Sequence, residues 1–193
     1  MNYLFDPENR FWSFMNKIMD VFFIGILWFV FSLPVVTAGA ALTALYQFTL
    51  KQADDEEGYV WRSFRRAFVK NFRQSTVLWL ILLAAWAFLA ADIYACLHME
   101  LPGMWRTLCF GVLVCLGALL LLTSLYIFPL VSRYDRPVPI ILKHSFIMAV
   151  GNLHVSVTVL VVYIAAAALT WFIPLLFPVF AALGAFVSSY LFR

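Results

Sequence analysis

Long stretches without a charged residue constrain this chain more than any other feature. About 20 apolar residues in a helix cross the ~30 Å hydrocarbon core of a bilayer, because each residue adds about 1.5 Å. The sequence therefore predicts an all-α, multi-pass transmembrane bundle with five apolar segments. These segments are residues 21–50, 76–91 (extending to about 97), 107–130, 155–173 and 174–192.

The composition excludes a water-soluble globular domain. Apolar residues make up 65% of the chain and charged residues 12%, and the mean hydropathy is +0.94, whereas soluble domains are about half apolar and about a quarter charged. The apolar segments and short connections account for nearly all 193 residues. We therefore expect a single membrane domain over 1–193, with no soluble catalytic domain. Because charges interrupt residues 1–20, we expect no cleaved signal peptide there.

The first apolar run is long for one span and contains Pro34. Two interpretations are open: one helix kinked at Pro34, or a helix over about 10–33 followed by another over about 38–53, which gives six helices in total. In the second, which we favour, Thr37 caps the new helix. A second turn is predicted in the sequence WFIPLLFP, at Pro174 and Pro178.

Charge distribution predicts the orientation. Six of the thirteen basic residues lie between Lys51 and Arg73, and Arg133, Arg136 and Lys143 lie in the next-but-one connection. The positive-inside rule places both connections and the C-terminus in the cytoplasm. The loop over 92–106, with one arginine against two acidic residues, is expected outside.

An internal repeat is predicted at a shift of about 80 residues. TALYQFTL (43–50) aligns with TSLYIFPL (123–130), and Phe64, Ala67, Asn71 and Ser75 correspond to Phe146, Ala149, Asn152 and Ser156. Each unit would contain a descending span, a short cytoplasmic amphipathic helix ending near the asparagine, and an ascending span. We expect two parallel repeats, over about 38–97 and 107–173, with an extra span over 174–192.

The segment GYVWRSFRRAFVKNFRQS predicts a basic amphipathic helix, since aromatic residues recur at spacings of three and four with basic residues between them. It is either a helix lying on the anionic inner leaflet or a docking site for a cytoplasmic partner; nucleic acid is not an expected partner. The candidate residues are Trp61, Arg62, Phe64, Arg65, Arg66, Phe68, Lys70, Asn71 and Arg73, with repeat counterparts Phe146 and Asn152.

The helix break supplies a second candidate set: Pro34, Thr37, Gly39 and Thr43. Small residues after Pro34 favour close helix packing. The alternative is that the broken helix exposes Thr37 and backbone groups to a central cavity, as in transporters.

Catalytic and metal-binding patterns are missing from the sequence. The three cysteines form no CxxC pair, and Cys115 is expected to be buried in packing. HExxH, GxSxG and P-loop motifs are absent. We therefore expect no enzyme activity, cofactor or metal.

Two motifs carry a resemblance to a known family. SLPVVTAGAALTALY (32–46), followed by an acidic patch ending EEGYV and by SFRRAFVKNFRQS, resembles the YesL-like family of uncharacterised bacterial membrane proteins. The resemblance implies a plasma-membrane protein, typical of Gram-positive bacteria and often encoded beside carbohydrate-uptake ABC transporters, polysaccharide-degrading enzymes and sensor kinases. It implies no biochemical activity.

Two functional hypotheses follow. The first is an accessory or regulatory subunit that binds a carbohydrate ABC transporter or a sensor kinase through its basic helices. The second is a small transporter or channel between the two repeats, with the break at 34–43 lining the route. Under this hypothesis the chain could assemble as a homo-oligomer.

Overall fold

The computed structural model describes residues 10–54, 58–98 and 103–192, with backbone alone for 10–14. All regular secondary structure in these ranges is helical, which confirms the predicted all-α class. The α-helices are α1 (Arg10–Ser32), α2 (Ala38–Ala53), α3 (Val60–His98), α4 (Gly103–Arg133), α5 (Val138–Gly151), α6 (Leu153–Phe172) and α7 (Phe177–Leu191), with short 3₁₀ turns at Val35–Thr37 and Pro174–Leu176.

Five helical segments are long and apolar enough to cross a membrane, as predicted. Their exposed surfaces are rich in large apolar side chains, which in a bilayer contact lipid. The segments are Met15–Ser32, Val60–His98, Gly103–Arg133, Leu153–Phe172 and Pro174–Leu191.

The first apolar run forms two helices, as the favoured interpretation predicted. α1 ends at Ser32 and α2 begins at Ala38, because proline lacks the N–H needed to continue the helix. The predicted cap is wrong in its mechanism: the Thr37 side chain makes no N-terminal cap on α2. Its hydroxyl proton is instead shared between two carbonyl oxygens, those of Phe31 at 2.6 Å and Pro34 at 2.8 Å, which closes the turn.

Helix α2 lies at the centre of the bundle and packs against α1, α3, α4 and α7. Twelve of its 16 residues are buried. Small side chains at Gly39, Ala40, Ala41 and Ala44 let the neighbouring backbones approach closely, which confirms the predicted packing role of this segment.

Helices α3 and α4 form a long antiparallel hairpin. The 39 residues of α3 span about 58 Å, nearly twice the hydrocarbon thickness. Trp79, at the middle of α3, donates its indole N–H to the Val35 carbonyl at 2.7 Å, so the turn between α1 and α2 lies beside the middle of α3. Beyond Trp79 the hairpin continues with a largely exposed apolar surface.

Two sequence predictions are wrong in this region. The amphipathic segment does not end near Asn71, because α3 contains neither proline nor glycine and continues without a break to His98. In the second unit the helix does end, at Gly151, beside Asn152.

Cys115, expected to be buried, is exposed on the outer side of α4, since α4 is apolar around its whole circumference.

Candidate functional site

The first third of α3 carries the basic amphipathic pattern and uses one face to pack inside the bundle. Phe64, Ala67, Asn71 and Ser75 recur every three or four residues, and all four are buried. Their shared face lies against α2, and the basic residues between them are exposed. The amphipathic pattern therefore serves protein packing on one face and leaves a basic face exposed.

Several of the candidate residues lie where α2 and α3 are in close contact. A Cβ added to Gly39 would lie 2.5 Å from the Cβ of Trp79 and 2.7 Å from the carbonyl oxygen of Ser75. The hydroxyls of Thr43 and Ser75 form a buried hydrogen bond of 2.7 Å. Asn71 donates to the side-chain oxygen of Gln47 at 3.1 Å. Gly39, Thr43 and Asn71 thus act in helix packing.

The aromatic residues of α3 meet α1. The Phe31 ring lies 5.3 Å from the Phe64 ring, 5.1 Å from that of Phe68 and 6.2 Å from that of Trp61, measured between centroids. Phe64 is therefore enclosed by protein, which the inner-leaflet interpretation did not foresee. Trp61 and Phe72 remain exposed.

We define the outer basic face as Trp61, Arg62, Arg65, Arg66, Val69 and Lys70, which line a shallow depression of about 700 Å³. Lys70 pairs with Asp135 at 2.8 Å, and Arg62 lies 5.9 Å above the Tyr59 ring. Within the described ranges, no carboxylate forms an ion pair with Arg65 or Arg66. Residues 55–57, the rest of the predicted acidic patch, lie outside those ranges.

A second concave surface, the basic cleft, lies between α2 and α3. Its volume is about 380 Å³, and Lys51 of α2 contributes to it. The lining residues are Gln47, Phe48, Lys51, Arg62, Ser63, Arg66, Ala67 and Lys70.

Polar contacts join the ends of several helices beside these surfaces. Arg133, at the end of α4, pairs with Asp54 at 3.4 Å and donates to the Phe192 carbonyl at 3.3 Å. Gln74 of α3 donates to the carbonyl of Arg136. The basic residues of both predicted cytoplasmic connections therefore lie at the same end of the bundle.

The predicted repeat counterparts differ in burial. Ala149 and Ser156 are buried like Ala67 and Ser75, and Ser156 forms a 2.9 Å hydrogen bond with Tyr126. Phe146 and Asn152 are exposed. Burial is thus alike at the two pairs of small residues and differs at the phenylalanine and asparagine pairs.

A cavity of about 270 Å³ lies between helices of the two predicted units. Tyr46 of α2 and Tyr163 of α6 both line it, and their hydroxyls are hydrogen-bonded to each other. Most of the remaining lining is aromatic or aliphatic, including Trp79, Trp86 and Phe128. The contact between these two tyrosines was not predicted from the sequence. The only available signal was the position of Tyr46 in the aligned motif 43–50.

The helix-break residues do not line this cavity. Pro34 is exposed beside the turn, and Thr37 and Thr43 are engaged in the hydrogen bonds described above. In the part of the chain that the structure describes, no group of three His, Cys, Asp or Glu side chains could hold a metal ion.

Comparisons with known proteins found similarity to a family model and to a curated protein. The model for a family described as a protein of unknown function, DUF624, matches residues 21–93, which include α2 and most of α3. The uncharacterised protein YesL of Bacillus subtilis (strain 168) is 29% identical over 140 residues, which cover 70% of this chain. The chain spans about 65% of the length of that relative. No solved structure matches this chain.

Proposed function

Taking the chain as a YesL-like membrane protein, we propose that it is an accessory or regulatory membrane subunit that binds a cytoplasmic acidic surface of a partner protein. The observation that carries the proposal is that the two faces of the first third of α3 have different surroundings. One face of its first third is buried against α2, and the opposite face presents arginines that form no ion pair with any described residue.

The exposed arginines suit recognition of carboxylates. Arg62 and Arg65 line the same depression as Trp61, which is 53% exposed. Arg and Trp are among the residues most often found at the energetic centre of protein interfaces. A guanidinium also binds a carboxylate through two parallel hydrogen bonds. Such a surface would attract an acidic partner over several ångströms and hold it more weakly at high salt.

The resemblance to the YesL-like family supplies the class of partner. We assign this role to carbohydrate uptake or sensing, with an ABC transporter subunit or a sensor kinase as the partner. No catalytic role or cofactor forms part of the proposal.

The proposal includes the internal repeat. Helices α2 and α4 end 80 residues apart, at Ala53 and Arg133, and each is followed by a helix that packs back on it.

The proposed location is the plasma membrane, with the basic surfaces and the C-terminus in the cytoplasm and the loop between α3 and α4 outside. In a variant without its native cysteines, Tyr59→Cys and Met104→Cys place single thiols at exposed positions at opposite ends of α3 and α4. We expect a membrane-impermeant maleimide to label Met104→Cys in intact cells and Tyr59→Cys only after permeabilisation. The reverse pattern would refute the orientation.

Photo-crosslinking tests the proposed partner. A benzoylphenylalanine at Val69, which is 67% exposed on the outer basic face, is expected to trap a carbohydrate-transporter or kinase subunit in native membranes. The same group at Val112, 60% exposed on the apolar surface of α4, is the positional control and should trap neither.

Charge reversal makes this test specific. Arg62→Glu with Arg65→Glu should reduce the Val69 adduct about tenfold or more, because like charges facing each other across an interface cost several kcal/mol. Lys51→Glu with Arg73→Glu makes the same charge change elsewhere and should alter the yield by less than about twofold. Equal losses in both variants, or no protein adduct at Val69, would contradict the proposal.

The transporter hypothesis has one observation in its favour, the cavity between the predicted units. Its hydroxyls are those of Tyr46, Tyr163 and Ser124, and its indoles are those of Trp79 and Trp86. The two tyrosines are already bonded to each other, and Trp79 donates to Val35. A polar solute would lose its hydration there with few groups to replace it. The accessory role is therefore the better supported of the two.

A further inference from the structure

The basic cleft combines cationic groups from two helices. Lys51 comes from the last turn of α2, and Arg62 and Arg66 come from the first two turns of α3. Ser63 adds a hydroxyl and Gln47 a side-chain amide. The cleft shares Arg62, Arg66 and Lys70 with the outer basic face, and it differs from that face by including Lys51 and Gln47 of α2 and Ser63 of α3.

Nearby carboxylates of the described ranges are bonded to other cations. Asp135 pairs with Lys70, at the edge of the cleft, and Asp54 pairs with Arg133. Among the described residues, Lys51, Arg62 and Arg66 thus concentrate positive charge around a concavity of about 380 Å³. The start of α3 adds the positive end of a helix dipole beside Arg62 and Ser63.

This donor set matches a tetrahedral anion. Two guanidinium groups and one ammonium can surround a phosphate from several sides, and the Ser63 hydroxyl can donate to a further oxygen. A single carboxylate, which is planar and has two oxygens, would leave part of the set unused.

The position of the cleft favours a phosphate carried by a lipid. Lys51 directly follows the apolar run that ends at Leu50, and Phe48 lines the cleft itself. The cleft therefore lies where apolar helix surface gives way to charge, the depth at which headgroup phosphates occur. Basic pockets between helices at this depth are known to bind anionic headgroups.

We propose that the basic cleft binds the phosphate group of an anionic phospholipid. The probe is phosphatidylglycerol, compared with phosphatidylcholine in nanodiscs and with inorganic phosphate in detergent. Affinity is measured by native mass spectrometry of the full chain with the lipid added in steps. Unfolding temperature in each lipid gives a second measurement.

Lys51→Gln with Arg66→Gln is expected to weaken phosphatidylglycerol binding about tenfold or more, because each side chain supplies charge-assisted hydrogen bonds. Arg65→Gln with Arg73→Gln removes the same charge from the same end of the bundle, outside the cleft. This control should change the affinity by less than about threefold. All four side chains are exposed, so both variants should unfold like the original chain in phosphatidylcholine.

Equal weakening by both variants would overturn the proposal, because it indicates general attraction between charges. Undiminished phosphatidylglycerol binding by Lys51→Gln with Arg66→Gln would also overturn it. So would equal binding of phosphatidylglycerol and phosphatidylcholine to the original chain. Stabilisation by inorganic phosphate equal to that by phosphatidylglycerol would overturn the assignment to a lipid. Selective loss in the cleft variant, with phosphatidylglycerol preferred over inorganic phosphate, would support the site.

Discussion

Replacing Gly39 with alanine is expected to lower the free energy of unfolding by about 3 kcal/mol, the upper end of what overpacking usually costs. The added Cβ would lie 2.5 Å from the Trp79 Cβ and 2.7 Å from the Ser75 carbonyl oxygen. Neither atom is the free end of a flexible side chain, so α2 and α3 would have to separate. Reversible unfolding in mixed detergent micelles, followed by tryptophan fluorescence, measures the loss.

Gly111→Ala is the matched control for this substitution. Gly111 is also within a helix, and its added Cβ would meet no atom within 4 Å beyond its chain neighbours and the backbone of its own helix. Alanine is a better helix former than glycine, so we expect a change between zero and a gain of about 1 kcal/mol. A Gly39→Ala variant as stable as Gly111→Ala would contradict the close α2–α3 packing.

Replacing Phe64 with alanine is expected to destabilise the protein by about 3–5 kcal/mol, the usual cost of emptying a fully buried aromatic site. Phe64 has 0% of its surface exposed and contacts the rings of Phe31 and Phe68. The lost ring contacts add to the cost of the cavity. The same unfolding measurement applies.

Phe146→Ala provides the comparison, because Phe146 is the predicted repeat counterpart of Phe64. It is 48% exposed, so its truncation should cost less than about 1 kcal/mol. Similar losses at the two positions would mean that both phenylalanines are buried, contrary to the structure.

The positions of spans and turns were predictable from local sequence. Pro34 and the pair Pro174 and Pro178 mark the turns at Val35–Thr37 and Pro174–Leu176, although Pro129 lies inside α4 without ending it. The continuity of α3 was also readable, since no proline or glycine interrupts it. The predicted boundary near Asn71 followed a change of polarity, which alters the surroundings of a helix but not its backbone.

The candidate surfaces depend on which helices become neighbours, and periodicity does not determine that. The pattern around Phe64 correctly predicted a buried face, but lipid and protein are both apolar, so the pattern could not identify α1 and α2 as the cover. Likewise, Lys51 and Arg66 are distant in the sequence and meet only because α2 and α3 pack antiparallel. The Tyr46–Tyr163 contact joins residues even further apart.

The unbroken α3 also makes the bundle mechanically stiff along its length. A helix without proline or glycine offers no hinge, so its two ends move as one body. Trp79 lies near its midpoint, hydrogen-bonded to the turn between α1 and α2. Each half is about 28 Å long, so a tilt of about 5° around Trp79 would displace both ends by about 2.5 Å in opposite directions. A force applied at the arginines of α3 is therefore transmitted to the opposite end of the helix, at His98.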